Sequence, residues 1–165
     1  MEAKDTNGWT ALMMAALTGH TDCVKALLAA GAGVEAKDNS GSTALMAAAL
    51  TGQADCAKAL LAAGAQVEAK DNGGVTALIV AAKFGWVAYA KALLAAGAKL
   101  GAKDDDGKTA YVWAVELGHC DVAALLLDAA TAPRGPAPPP AASSLCCICH
   151  ERPPNMALLH LADKT

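Results

Sequence analysis

The stem Glu-Ala-Lys-Asp occurs at Glu2–Asp5, Glu35–Asp38 and Glu68–Asp71, each copy 33 residues after the last, and a weaker fourth copy, Gly101–Asp104, keeps the spacing. The residues between the stems repeat as well. Thr-Ala-Leu recurs at Thr10, Thr43 and Thr76, and Lys-Ala-Leu-Leu-Ala-Ala-Gly-Ala at Lys25, Lys58 and Lys91. Self-similarity at a fixed period of this size is the mark of a solenoid, in which each unit buries its apolar face on its neighbours. Solenoids offer extended binding surfaces and seldom an enclosed catalytic pocket, so binding is the first function to consider.

Each period reads as two helices and a loop. Thr10, Thr43, Thr76 and Thr109 precede mainly apolar runs, the position and chemistry of an N-cap. The runs stop at Gly19, Gly52, Gly85 and Gly118, residues that tolerate a left-handed backbone. A second helix is expected to start near Asp22, Asp55 and Asp121, where acidic side chains suit the positive helix end. In the first three repeats it is expected to end at Gly31, Gly64 and Gly97. Between Gly31 and Gly41, turn-formers surround one apolar anchor, Val34, and predict a projecting hairpin-like loop.

These words resemble the ankyrin-repeat family, whose pattern runs from an acidic residue through Gly, Thr-Pro-Leu-His, Ala-Ala, Gly-His, a Leu run and Gly-Ala. The second repeat supplies Asp38, Gly41, Thr43, Leu45, Ala48–Ala49, Gly52, Leu60–Leu61 and Gly64–Ala65. The resemblance covers residues 2–131, with repeats at about 5–37, 38–70, 71–103 and 104–131. It implies an all-α, ankyrin-type α-solenoid of four helix-loop-helix repeats with an L-shaped stack. Departures from the pattern bear on stability. Ala replaces Pro in the Thr-Pro-Leu-His box, Trp86 stands where the family has His, and alanines occupy second-helix sites Ala26, Ala57, Ala59, Ala90 and Ala92. Each buried methylene missing forfeits about 0.8 kcal/mol, partly offset by the high helix propensity of Ala. A modestly stable stack is expected.

Composition narrows the partners. The chain is 55% hydrophobic but only 4% aromatic, which suits a helical core of small residues. A net charge of −3 provides no basic field for nucleic acid. No apolar stretch approaches the roughly 18–20 residues that span a bilayer. Met1-Glu2-Ala3-Lys4 enters the first repeat directly, so no signal peptide is expected. Cys23 and Cys56 share one repeat position and Cys120 lies just before the equivalent place. They are expected to pack as free thiols, which points to a reducing, intracellular setting, cytoplasmic or nuclear. His20 and His119 are expected in structural roles, and Asp104–Asp106 as a solvated loop tip.

Beyond the repeats, residues 132–144 are a Pro/Ala/Ser linker, followed by Leu145-Cys146-Cys147-Ile148-Cys149-His150. Cys146 and Cys149 have the spacing that places two thiolates on one zinc ion. The segment 145–165 resembles the opening of a C-terminal RING finger, in which Ile148 would match the contact to a ubiquitin-conjugating enzyme. The match stops before the remaining ligands. The Cys and His donors left are too few for two tetrahedral sites, so this tail is expected to be disordered and no cofactor is expected, zinc entering only if the RING were complete.

The binding face follows from the resemblance. Ankyrin repeats generally dock partners on loop tips and first helices, which here implicates Trp9, Leu17, Leu50, Val75, Lys83, Phe84, Lys108 and Leu117, with the stem lysines Lys37, Lys70 and Lys103 on the same side. Trp9, Leu17, Leu50, Phe84 and Leu117 would together form an apolar patch. No nucleophile–base pair supports an enzyme. The sequence therefore points to a monomeric, non-enzymatic protein-binding module. The alternative is the substrate-recruiting arm of a RING-type ubiquitin ligase in a longer product. The incomplete ligand set gives a direct test: after dialysis, elemental analysis should find well under one zinc per chain. Stoichiometric zinc that disappears in Cys149→Ser would overturn it.

Overall fold

The computed structural model describes residues 3–131, which lie within one compact unit spanning Met1–Arg134. The element order is α1 (Ala11–Thr18), α2 (Thr21–Ala29), α3 (Ala44–Thr51), α4 (Ala54–Ala62), α5 (Ala77–Phe84), α6 (Val87–Ala95), α7 (Ala110–Glu116) and α8 (Cys120–Thr131). Each repeat contributes one pair. The first helices pack in a row, α1 on α3 on α5 on α7, and the second helices form a parallel row behind them. The described residues contain helices and isolated bridges but no named strand. The solenoid expected from the period is the fold observed.

The local chemistry follows the repeat. The hydroxyls of Thr10, Thr76 and Thr109 accept from the backbone N–H of Met13, Ile79 and Val112, closing the first turns of α1, α5 and α7. Thr43 occupies the same place before α3, but its buried hydroxyl makes no hydrogen bond. α1, α3 and α5 end at left-handed glycines, as at Gly52 with φ +72°, and after α7 the left-handed Gly118 follows Leu117. Gly52 is required twice over, because a Cβ there would also meet the Trp86 ring at 2.5 Å. Trp86 thus lies against the glycine of the preceding repeat, as His119 lies against Gly85. The second helices start at Thr21, Ala54 and Cys120, which leaves the aspartates in their first turns, and α2, α4 and α6 end two residues ahead of the glycines.

Lateral hydrogen bonds tie repeat to repeat. The Lys4 ammonium donates to the Lys37 carbonyl at 2.7 Å, Lys37 to Lys70 at 2.9 Å, and Lys70 to Lys103 at 2.7 Å. Lys37, Lys70 and Lys103 were expected along a binding face; the ammonium groups of Lys37 and Lys70 instead form rungs between neighbouring loops. A second set of rungs joins the loop tips, Asn39 N–H to Asn7 O, Asn72 N–H to Ser40 O and Asp105 N–H to Gly73 O. Within each loop one carboxylate oxygen of the stem aspartate accepts backbone N–H groups. Asp38 Oδ1 takes those of Ser40 and Ser42, and Asp71 Oδ1 those of Gly73 and Val75.

The core lies between the two rows. Ala48, Ala49, Ala57, Ala81, Ala82 and Ala90 have no exposed surface, so the helices approach closely over single methyl groups. Ala26, by contrast, is exposed, so no packing is forfeited there. Tyr89 is fully buried and its hydroxyl donates to the Leu45 carbonyl, joining α6 to α3 across two repeats. Burial, reinforced by the nearby Cys56 thiol, pushes that phenol far above its ordinary pKa. The thiols differ from the uniform packing expected of them. Cys56 is buried, Cys120 is half-buried, and Cys23 is exposed because α2 has no preceding helix to cover it. Leu93 lies among the fully buried residues. Leu93→Ala should therefore destabilise the stack by about 2–5 kcal/mol, measured by thermal or urea unfolding.

Candidate functional site

The residues singled out from the sequence separate into three groups. Leu50, Phe84 and Leu117 are exposed, at 41%, 49% and 49%, on or just after three consecutive first helices. Trp9, Leu17 and Val75 are half-buried and pack against the core, so they contribute less free surface than expected. Lys83 and Lys108 form the third group. Both are engaged by a side chain that the sequence reading did not single out.

That side chain is Trp113, in α7. The Lys83 ammonium lies 4.0 Å from the centre of its ring and that of Lys108 4.4 Å, so two cations contact one indole. The indole N–H donates to Asp104 Oδ2 at 2.6 Å, while Asp104 Oδ1 accepts from the Lys108 backbone N–H. Lys108 also pairs with Glu116 at 2.6 Å. Burial disfavours the charged form of Asp104, but the Trp113 and Lys108 hydrogen bonds and the Lys83 charge outweigh it and hold this carboxyl below its ordinary range. The Glu116 hydrogen bond pushes Lys108 upward. Asp104 is thus a buried structural acceptor, not the solvated tip expected of the acidic triplet. The only sequence signal was Trp113 itself, standing where the other repeats have Met14, Ala47 and Val80.

A hollow of about 160 Å³ opens between the loops and first helices of the first three repeats. Trp9, Met46, Ala47, Leu50 and Val80 form its apolar wall, and Asp38, Ser40, Ser42 and Asp71 its polar one. No group of three or more His, Cys, Asp or Glu suited to a metal ion occurs among the described residues. His119 Nε2 lies 3.0 Å from the Lys83 carbonyl, a structural tie, and His20 Nδ1 lies 2.7 Å from the Thr18 hydroxyl. Cys146, Ile148 and Cys149 lie outside the described residues.

The Asp104 carboxylate has a definite pH signature. Its folded pKa is depressed, so its contribution to stability is complete above the ordinary carboxylate value of about 3.9 and is lost as pH falls through the lower, folded value. Asp104→Asn should lower the melting temperature by roughly a few degrees at neutral pH, and the deficit should shrink once the pH falls below the ordinary carboxylate value of about 3.9. A deficit of equal size in both pH ranges, by calorimetry, would remove the assigned role.

A family model described as ankyrin repeats in three copies matches residues 1–71 and again residues 68–134. No curated protein matches the chain. Ankyrin repeats are generally protein–protein interaction modules and typically non-catalytic. No helix among the described residues is long and apolar enough to cross a membrane. With matched segments spanning the whole of the described helical stack, the chain belongs to the ankyrin-repeat family.

Proposed function

We propose that this chain is a non-enzymatic adaptor that binds a partner protein on the face made by its loop tips and first helices. One observation carries the reading: Leu50, Phe84 and Leu117, on or just after the first helices of three successive repeats, leave large apolar side chains exposed. Large apolar groups arranged along one surface mark a place where a partner excludes water. These positions are also among those at which the repeats differ. Phe84 replaces the threonines Thr18 and Thr51, and Lys83 replaces Leu17 and Leu50. The lateral rungs and alanine contacts, which serve the stack alone, stay nearly constant. The family match ends at residue 134, so a zinc-bearing ligase segment beginning at Cys146 has the sequence resemblance alone behind it.

Phe84 lies in the third repeat, flanked by Leu50 and Leu117 in the repeats on either side. Central aromatic side chains usually carry most of an interface's energy. Phe84→Ala should weaken binding to a partner isolated by pull-down by about 2 kcal/mol, with almost no change in melting temperature because half the side chain is already in water. If Phe84→Ala unfolds the stack as badly as Leu93→Ala, or leaves affinity untouched, the face is misassigned.

A further inference from the structure

The hollow in the first three repeats occupies the place that Trp113 fills in the fourth. Ala47 and Val80 hold the repeat positions equivalent to Trp113, and both line the hollow. Asp38 and Asp71 hold the positions equivalent to Asp104, nine residues ahead in each case, and both line it too. In the fourth repeat the aspartate divides its work: Oδ1 accepts the loop N–H and Oδ2 accepts the indole N–H. In the second and third repeats Oδ1 accepts the loop N–H groups, whereas Oδ2 accepts nothing among the described residues. The buried Thr43 hydroxyl, also in the wall, lacks the helix-capping bond that its three counterparts make. A cavity of about 150 Å³ is enough to hold a benzene-sized ring, and this one measures about 160 Å³.

We propose that the hollow is a socket for a tryptophan side chain of the partner protein, the indole lying over Ala47 and donating its N–H to Asp38 Oδ2. The chain displays the complementary chemistry in its own fourth repeat. An apolar ring needs an apolar wall, and Trp9, Met46 and Leu50 supply one. A ring N–H needs an acceptor that water would otherwise satisfy, and a carboxylate oxygen is a stronger acceptor than a neutral one. A phenyl ring meets only the first requirement, so the socket favours tryptophan over phenylalanine. The proposal rests on the reading of this face as the partner-binding face and specifies what the partner presents to it.

The chain's own tryptophans obscure a fluorescence titration, so the test is NMR on the full chain with isotope label. N-acetyl-tryptophanamide should shift the signals of Ala47, Leu50 and Val80 saturably, with a Kd on the order of 1 mM. The 1-methylindole analogue, which lacks the N–H, and N-acetyl-phenylalaninamide should each bind about tenfold more weakly. Asp38→Asn keeps an Oδ1 acceptor for the loop but turns the second oxygen into a donor, and should lose about the same factor. Ala47→Trp, which fills the socket from within, should abolish the shifts at Leu50 and Val80. Should that variant fail to fold, Asp38→Asn decides alone. Absence of saturable shifts at these residues, or equal binding of the methylated analogue, would overturn the proposal. If Phe84→Ala weakens the isolated partner while tryptophanamide leaves Ala47 unmoved, the face survives and the socket does not.

Discussion

Adjacent first helices meet over alanine. Ala48 and Ala49 in α3 and Ala81 and Ala82 in α5 are wholly buried. No larger side chain fits there without pushing the rows apart, because packed interiors have little slack. The consequence of this close approach reaches beyond the helices. It sets the lateral spacing at which Lys37 and Lys70 reach the carbonyls of the following repeat, and at which one loop tip hydrogen-bonds the next. The end of the stack shows the same rule by contrast. Val115 holds the position of Ala49 and Ala82, and with no first helix after α7 among the described residues the branched side chain is exposed.

That spacing also divides the proposed binding face chemically. Toward the fourth repeat, two lysines and an aspartate organise Trp113, so the aromatic surface is occupied by the chain's own charges. Toward the second repeat, alanine at the equivalent position leaves the wall open and the acceptor unpartnered. A partner lying along the row would meet an open apolar hollow first, then the exposed Phe84 ring, then a cationic and aromatic cluster. Identical backbones carry these three environments. The differences come from single substitutions at positions that the stack does not use for its own cohesion, which is why a repeat scaffold can vary its binding surface without losing its fold.

Much of this was legible in the sequence, and the reasons are local. A Thr before an apolar run and a Gly after it define a helix within some ten residues, and the 33-residue copy number repeats that evidence four times. Phe84 and Leu117 could be placed on a face because their counterparts Thr18 and Thr51 break the repeat with polar residues. The exposure of Trp9 and Leu17 could not be read in the same way. Both positions vary as surface positions do, yet both side chains are half-buried and packed against the core. Cys23 and Cys56 hold the same repeat position and are opposite in burial, because only α4 has a preceding second helix against it among the described residues.

The sequence alone determined the period, the helix pairs and their caps, since each depends on residues within one repeat or on their recurrence. Only the tertiary structure decided the arrangement around Trp113. Its partners Lys83, Asp104 and Lys108 come from two repeats, and spacing along the chain gives no hint that a lysine 30 residues earlier lies over the ring. The hollow over Ala47 is likewise a product of packing. It is a space, bounded by three repeats at once, and a sequence records side chains, whereas the gap left between them is fixed by how closely the backbones approach.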